Sequence, residues 1–291
     1  FQEHGRVSPI NDAWYAGFAA FHNTPMLAYP PLVLLYVLSG DINTVSHMGH
    51  YLFTIFAALA ALPALRKRYS LPAATVVAFL FAASPFIVSQ ITSGGSYPRS
   101  LAASLGAACF YFVDEMAEKG LRPRWVLPTT LMLAGSVIAH PMIGAAFIAC
   151  WTVFFFARTL AGRTLSLRES LYWFIVPAAS LALTAWYLIP FFIEQQGWVA
   201  TPNEVFEIHS VAFSSSIQLL GLPLLAVALI GFVLKKNDPT VRGMLVAGLI
   251  GFILSGGVHA GLYLLVPALK AAYPWTFLLF TSMAVVVVAT A

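Results

Sequence analysis

The sequence predicts an all-α fold: a polytopic transmembrane helical bundle of about nine crossings, with an outer-face loop of short interfacial helices. Only 9% of its 291 residues are charged, whereas a soluble domain carries about 25%. Apolar residues make up 60% and the mean hydropathy is +0.84. Long charge-free runs alternate with clusters of Lys and Arg. A soluble enzyme is excluded, since a 31.5 kDa soluble fold has too little interior for this apolar surface.

The orientation of the bundle follows from where its basic residues lie. Four clusters separate the charge-free runs: Arg66–Arg68, Lys119–Arg124, Arg158–Arg168 and Lys235–Arg242. The positive-inside rule places all four in the cytoplasm, which puts 12 of the 15 basic residues inside and leaves three outside. The net charge of +4 is therefore an insertion signal for the lipid bilayer, and a nucleic-acid partner is excluded despite the pI near 9.1.

The predicted crossings come from runs long enough for a hydrocarbon core of about 30 Å. The run 125–157 is flanked by Arg124 and Arg158, both placed inside, so it must cross twice as a hairpin with its tip at His140-Pro141. The stretch 258–271 is interpreted as re-entrant. In chain order the other predicted crossings are 48–65, 71–92, 100–117, 170–193, 215–234, 243–256 and 274–290.

The sequence divides into an outer loop, residues 1–47, and a transmembrane helical domain, residues 48–291. The segment Pro30–Gly40 is apolar but too short to cross, and a crossing here would move every basic cluster to the outside, so we expect an interfacial helix. A preceding short helix is expected to carry Trp14, Phe18 and Phe21 on one aromatic face.

The ends of the chain lead to one further expectation. The sequence begins at Phe1 and stops within the apolar run Val285–Ala291. We therefore expect it to be part of a longer polypeptide, truncated at both ends, in which the preceding stretch contributes to function.

The titratable side chains indicate a functional site at the outer face, because all seven histidines and six of the eleven carboxylates fall there. Asp12 is either a general base or a helix cap. Glu3 and His4 either bind a metal or are solvated. His140 is either part of a site or a capped hairpin turn. Arg99 either holds a lipid phosphate or extends to the interface.

No cofactor is specified by the sequence, and no metal site is indicated, although a bound divalent metal stays an open alternative. The cysteines, Cys109 and Cys150, both lie inside apolar runs and lack the spacing of a disulfide framework or a metal site. They are interpreted as small hydrophobic residues within the membrane.

The first loop carries a family resemblance. Its stretch FQEHGRVSPINDAWYAGF, followed by Tyr29-Pro30-Pro31-Leu32, resembles the first periplasmic loop of GT-C-type membrane glycosyltransferases. It is most similar to the prokaryotic membrane proteins described as 6-pyruvoyl-tetrahydropterin synthase-related, and to the YfhO-like group. His140-Pro141 and Pro274-Trp275 also look similar to motifs of that group.

The resemblance implies a multi-pass enzyme of a prokaryotic plasma membrane that transfers a sugar from a polyprenyl-phosphate donor at the outer face. An acidic residue of the first loop would be the base, so Asp12 and Glu3 are the catalytic candidates in this sequence. Arg99, His140, Tyr29 and His4 are the candidate substrate-binding residues. Thr276 departs from the family pattern, which often has Arg after Pro-Trp. Without that Arg, this protein would lack one contact to the phosphate.

Two other functions stay open at this point. A transporter or flippase of a lipid-linked substrate would show inverted repeats and ionisable groups at mid-membrane, and the sequence shows neither clearly. A non-catalytic membrane subunit would agree with the Thr276 departure.

Overall fold

The structure is a computed structural model that describes residues 10–11, 18–19, 27–83, 97–195, 220–255 and 277–289. Two strands of two residues each, β1 (Ile10–Asn11) and β2 (Phe18–Ala19), pair antiparallel, and the remaining elements are helices. The helices of the first half are α1 (Tyr29–Ser39), α2 (Ile42–Arg66), α3 (Leu71–Ala82), α4 (Tyr97–Lys119), α5 (Pro123–Ala139) and α6 (Pro141–Gly162). The second half contains α7 (Leu167–Leu171), a 3₁₀ turn (Tyr172–Phe174), α8 (Ile175–Gln195), α9 (Leu222–Lys235), α10 (Pro239–Ser255) and α11 (Phe277–Ala289).

Proline and side-chain caps start many of these helices. Pro123 and Pro141 stand at the first turns of α5 and α6, where a missing backbone N–H costs nothing. Asp41 caps α2 by accepting from the backbone N–H groups of Asn43 and Thr44. The hydrogen bonds from Thr44 and Asn43 lower the pKa of the Asp41 carboxyl, since they stabilise its charged form.

The predicted all-α bundle is confirmed, and so is its hairpin. The run 125–157 forms two helices, α5 and α6, that meet at His140 and pack against each other. The segment predicted as an interfacial helix is helical as α1, although α2 begins at Ile42, inside the predicted outer loop. The stretch 258–271 lies outside the described residues.

One prediction for the outer loop is wrong. Phe18 was expected on a helix together with Trp14 and Phe21, but it lies in β2, where it pairs with Asn11. Aromatic residues favour strands, and Asp and Gly, both present between the two strands in the sequence, favour turns, so Phe18 is found in a short extended pair and not in a helix. Trp14 and Phe21 themselves lie outside the described residues.

The centre of the bundle is formed by α4 and α6, which pack against each other and against α5 and α11. The indole of Trp151 on α6 donates to the carbonyl of Gly106 on α4 at 2.8 Å. A side chain at Gly106 would place Cβ 2.4 Å from the ring of Phe147, so the absence of a side chain allows this close helix contact. Aromatic rings, including Phe110, fill the space around Trp151.

The outward faces of the helices are apolar, which is what contact with lipid requires. Within the described residues, three helical segments are long and apolar enough to cross a membrane: Ile42–Arg66, Pro141–Gly162 and Leu167–Pro190. Large side chains on their outer faces and on shorter helices are exposed, for example Leu234 and Val233 on α9. An all-helical membrane bundle accounts for this surface, because lipid replaces the missing protein contacts.

Candidate functional site

Two of the predicted substrate-binding residues, Arg99 and His140, come together at one end of the bundle. The backbone N–H of His140 donates to the carbonyl of Ser136, and the Ser136 hydroxyl donates to the carbonyl of Ala102 on α4 at 2.8 Å. Because α4 and α5 run in opposite directions, Arg99 and His140 each lie about one turn beyond this hydrogen bond. The Arg99 guanidinium is close enough to interact electrostatically with the His140 imidazole.

Tyr29 lies at the same end. Its helix α1 and the start of α4 both approach α2 at Gly49, where an added Cβ would lie 2.8 Å from Leu32 and 2.9 Å from Tyr97. Tyr97 is two residues before Arg99. Burial raises the pKa of the Tyr29 hydroxyl, which therefore stays protonated and able to donate at neutral pH.

A fourth side chain, Tyr187 on α8, joins this group and was not singled out by its sequence context. Its hydroxyl is close enough to interact electrostatically with that of Tyr29. Tyr187 lies within an apolar run that is predicted as a membrane-spanning helix, and nothing in the adjacent sequence indicates a functional residue. We call Tyr29, Arg99, His140 and Tyr187 the outer polar group.

The remaining site candidates cannot be placed with this group. Glu3, His4 and Asp12 lie outside the described residues, as do the Pro274-Trp275 motif and Thr276. Asp12 follows directly after β1, whose pairing with β2 brings Asn11 opposite Phe18. The catalytic assignments of Asp12 and Glu3 therefore stay predictions.

At the opposite end, the chain places a second polar cluster around Asp114, which is fully buried at the end of α4. One carboxylate oxygen accepts from Lys67 at 3.2 Å and from Arg68 at 3.0 Å, just after α2. The other accepts from Arg158 Nε on α6 at 3.3 Å and from the Thr240 hydroxyl on α10 at 2.8 Å. We call Asp114, Lys67, Arg68, Arg158 and Thr240 the inner ion cluster.

Neighbouring carboxylates complete the charge balance of the inner ion cluster. Glu115 is ion-paired with Lys67 and, at 2.9 Å, with Lys119. Burial alone would lower the pKa of Lys67, but Glu115 and Asp114 outweigh it and hold that pKa above its ordinary value. Lys67 therefore stays charged, and ion pairs to the buried Asp114 connect α4, α6 and the end of α2, while hydrogen bonds of the Thr240 hydroxyl add α10.

The inner ion cluster also agrees with the predicted topology. Its basic members come from two of the four basic clusters, its carboxylate from the end of α4 and its hydroxyl from the beginning of α10, and all of these segments were predicted to face the cytoplasm. Their convergence requires that these chain segments share one end of the bundle. The residues at this end were correctly grouped by sequence, whereas the pairing around Asp114 was not predicted.

The described part of the chain contains no group of three or more His, Cys, Asp or Glu side chains that could hold a metal ion. Cys109 and Cys150 are both free and buried, in agreement with their interpretation as small core residues.

These features define a helical integral membrane protein with a shielded ion cluster at one end and a polar group at the other. The chain belongs to the family of membrane proteins described by the 6-pyruvoyl-tetrahydropterin synthase-related domain, which matches residues 25–291. Neither a curated protein nor a solved structure matches the chain.

Proposed function

We propose that this protein is a GT-C-type glycosyltransferase, multi-pass in a prokaryotic plasma membrane, that transfers a sugar from a polyprenyl-phosphate donor at the outer membrane face. The observation that carries the proposal is the convergence of Arg99, His140 and Tyr29 at one end of an apolar bundle. A cation and neutral hydrogen-bond donors in such a place suit the phosphate of a lipid whose tail lies in the bilayer.

The reaction would proceed by attack of an acceptor hydroxyl on the anomeric carbon of the donor sugar. A new carbon–oxygen bond forms as the bond to the lipid phosphate breaks, and polyprenyl phosphate leaves with the electron pair. A carboxylate takes the hydroxyl proton, and Asp12 and Glu3 are the candidates for this role. Arg99 would offset the negative charge that develops on the leaving phosphate, with Tyr29, His140 and His4 as further donor contacts.

The test is transfer from a radiolabelled polyprenyl-phosphate sugar, with the full-length protein purified in detergent and membrane extract as the source of acceptors. We expect the double variant Asp12→Asn with Glu3→Gln to lose at least about a hundredfold in rate, as removal of a general base typically does. Glu207→Gln is the control and should retain activity, because this carboxylate lies in the outer segment between the predicted crossings 170–193 and 215–234. Unchanged turnover in the double variant would remove both residues from the site.

A transporter of a lipid-linked substrate is the second candidate, and the buried Asp114 is the observation that raises it. Ionisable groups inside membrane bundles commonly mark transport pathways. Here Asp114 is held by four partners at one end of α4, which suits a structural role better than a proton relay at mid-membrane. Movement of the lipid across vesicles, with no chemical change to it, would decide for transport.

A further inference from the structure

We infer that Tyr187 is a further ligand-binding residue of the outer polar group, and that its hydroxyl donates a hydrogen bond to a phosphate oxygen of the bound lipid. The inference rests on the proposed function, because it takes the donor to be a lipid phosphate. It adds a residue from α8, a helix that contributed no site candidate from sequence.

The register of α5 against α8 places Tyr187 beside the hairpin tip. The Ser180 hydroxyl on α8 donates to the carbonyl of Thr130 on α5 at 3.2 Å. Both helices then run toward the same end, because one complete helix, α6, returns the chain between them. Tyr187 lies seven residues beyond Ser180, and Val137 lies seven beyond Thr130, so each is about 10 Å further along. Tyr187 is therefore level with the last turn before His140.

A separate contact brings α1 to the same level. An added Cβ on Gly135 would lie 3.6 Å from the side chain of Leu27, so the residues that lead into α1 pass against the outer half of α5. Tyr29 follows two residues later, at the first position of α1. Two independent contacts thus converge on one place between α1, α5 and α8.

The members of the outer polar group form a gradient of exposure. Tyr29 is 43% exposed, Arg99 and His140 are half-buried, and Tyr187 is 2% exposed. A ligand that enters from the Tyr29 side would meet Tyr187 last. Tyr187 is thus at the inner limit of the group, where a hydrogen bond is shielded from water and contributes more to binding.

The chemistry of the group favours a phosphate over a neutral hydroxyl. Arg99 can only donate, the imidazole and both phenols can donate, and none of the four side chains carries a negative charge. The oxygens of one phosphate accept several such hydrogen bonds at once, and the positive charge of Arg99 is offset by the phosphate but not by an uncharged sugar hydroxyl. The phenol of Tyr187 supplies a neutral donor to the phosphate in addition to the charge of Arg99.

The experiment compares binding of a polyprenyl phosphate and of the uncharged polyprenol to the full-length protein in detergent micelles. Tyr187→Phe removes the hydroxyl and keeps the ring. We expect it to weaken polyprenyl phosphate binding by about tenfold and to leave polyprenol binding unchanged, since one hydrogen bond to a charged group is lost. The matched control is Tyr172→Phe, an exposed tyrosine at the opposite end of the same span, which should alter neither affinity. The thermal midpoint of each variant is measured alongside.

The outcomes separate the two proposals. Selective loss of phosphate affinity in Tyr187→Phe, with polyprenol affinity retained, supports the inference. The role of Tyr187 is overturned if Tyr187→Phe keeps the wild-type preference for the phosphate, or if it loses affinity for both ligands equally. The proposed function stands in either case. A wild-type protein that binds both ligands equally contradicts the lipid-phosphate donor itself, and both proposals fall with it.

Discussion

The two ends of the bundle use polar side chains in opposite ways. The inner ion cluster surrounds one fully buried carboxylate with three cations and a hydroxyl, each within 3.3 Å of it. The outer polar group combines one cation with an imidazole and two phenols, and its exposure rises from Tyr187 to Tyr29. The first end surrounds a buried carboxylate with partners from the protein, while the second places hydrogen-bond donors of graded exposure at the predicted outer end of the bundle.

This difference separates structural from functional polarity in an apolar chain. A buried charge is tolerated when its partners come from the protein, and removal of one partner leaves the others uncompensated. A binding site instead keeps donors whose best partner is the ligand. Substitutions at the inner end should therefore change stability, and substitutions at the outer end should change ligand affinity.

The largest effect is expected for Asp114→Ala. It leaves Lys67, Arg68 and Arg158 close together without their shared carboxylate, and loss of one partner of a buried ion pair costs about 3–5 kcal/mol. Unfolding by a denaturant in detergent, followed by tryptophan fluorescence, measures the change. Glu118→Gln is the control, because Glu118 is 45% exposed and its nearest ion pair, with Lys67, is 3.5 Å long. Equal stability of the two variants would show that the inner ion cluster does not hold the helices.

The next effect tests the outer end. Arg99→Gln should weaken binding of a polyprenyl phosphate by about ten- to a hundredfold, as expected for lost hydrogen bonds to a charged group, and should lower the free energy of unfolding by less than Asp114→Ala does. Ligand titration and denaturant unfolding of the same preparation give both values. A loss of stability as large as that of Asp114→Ala, with unchanged affinity, would place Arg99 among the structural residues and erase the contrast between the ends.

The helical bundle could be predicted from the sequence because clusters of Lys and Arg interrupt the apolar runs and mark the ends of the membrane helices. The hairpin followed from Arg124 and Arg158, since two charges on the same side require an even number of crossings, and its tip followed from Pro141, which ends one helix and begins the next. The helical interpretation of the aromatic spacing failed at Phe18, because an aromatic residue also fits a strand and Phe18 pairs there with Asn11.

The site was only partly accessible to sequence analysis. Arg99 and His140 stood out because charged or titratable groups are rare in an apolar chain. Tyr187 did not, because a tyrosine within a span is ordinary until a neighbour from another helix is known. Thr240 was missed for the same reason: its partners Arg68 and Asp114 are more than a hundred residues away in the chain.

A smaller effect is expected for Thr240→Val, which tests the hydroxyl of the inner ion cluster separately from its charges. The Thr240 hydroxyl donates to Asp114 and accepts from Arg68 at 2.6 Å and from Arg158 at 2.9 Å. Valine has the same shape and leaves these buried groups short of one partner, at a cost of about 1–3 kcal/mol. Thr240→Ser keeps the hydroxyl and should remain close to wild type in denaturant unfolding. Equal loss in both variants would assign the effect to packing of the methyl group instead.

The smallest effect concerns the hydrogen bond that sets the outer register. Ser136→Ala removes the donor to Ala102 between α5 and α4, and such bonds between membrane helices contribute about 0.6 kcal/mol. Because this bond fixes Arg99 relative to His140, affinity for a lipid phosphate should fall by more than the change in stability accounts for. Ser104→Ala is the matched control, since that hydroxyl donates only within α4, to Ser100. If both alanine variants bind the ligand equally well, the hydrogen bond between α4 and α5 does not set the relative positions of the residues in the outer polar group.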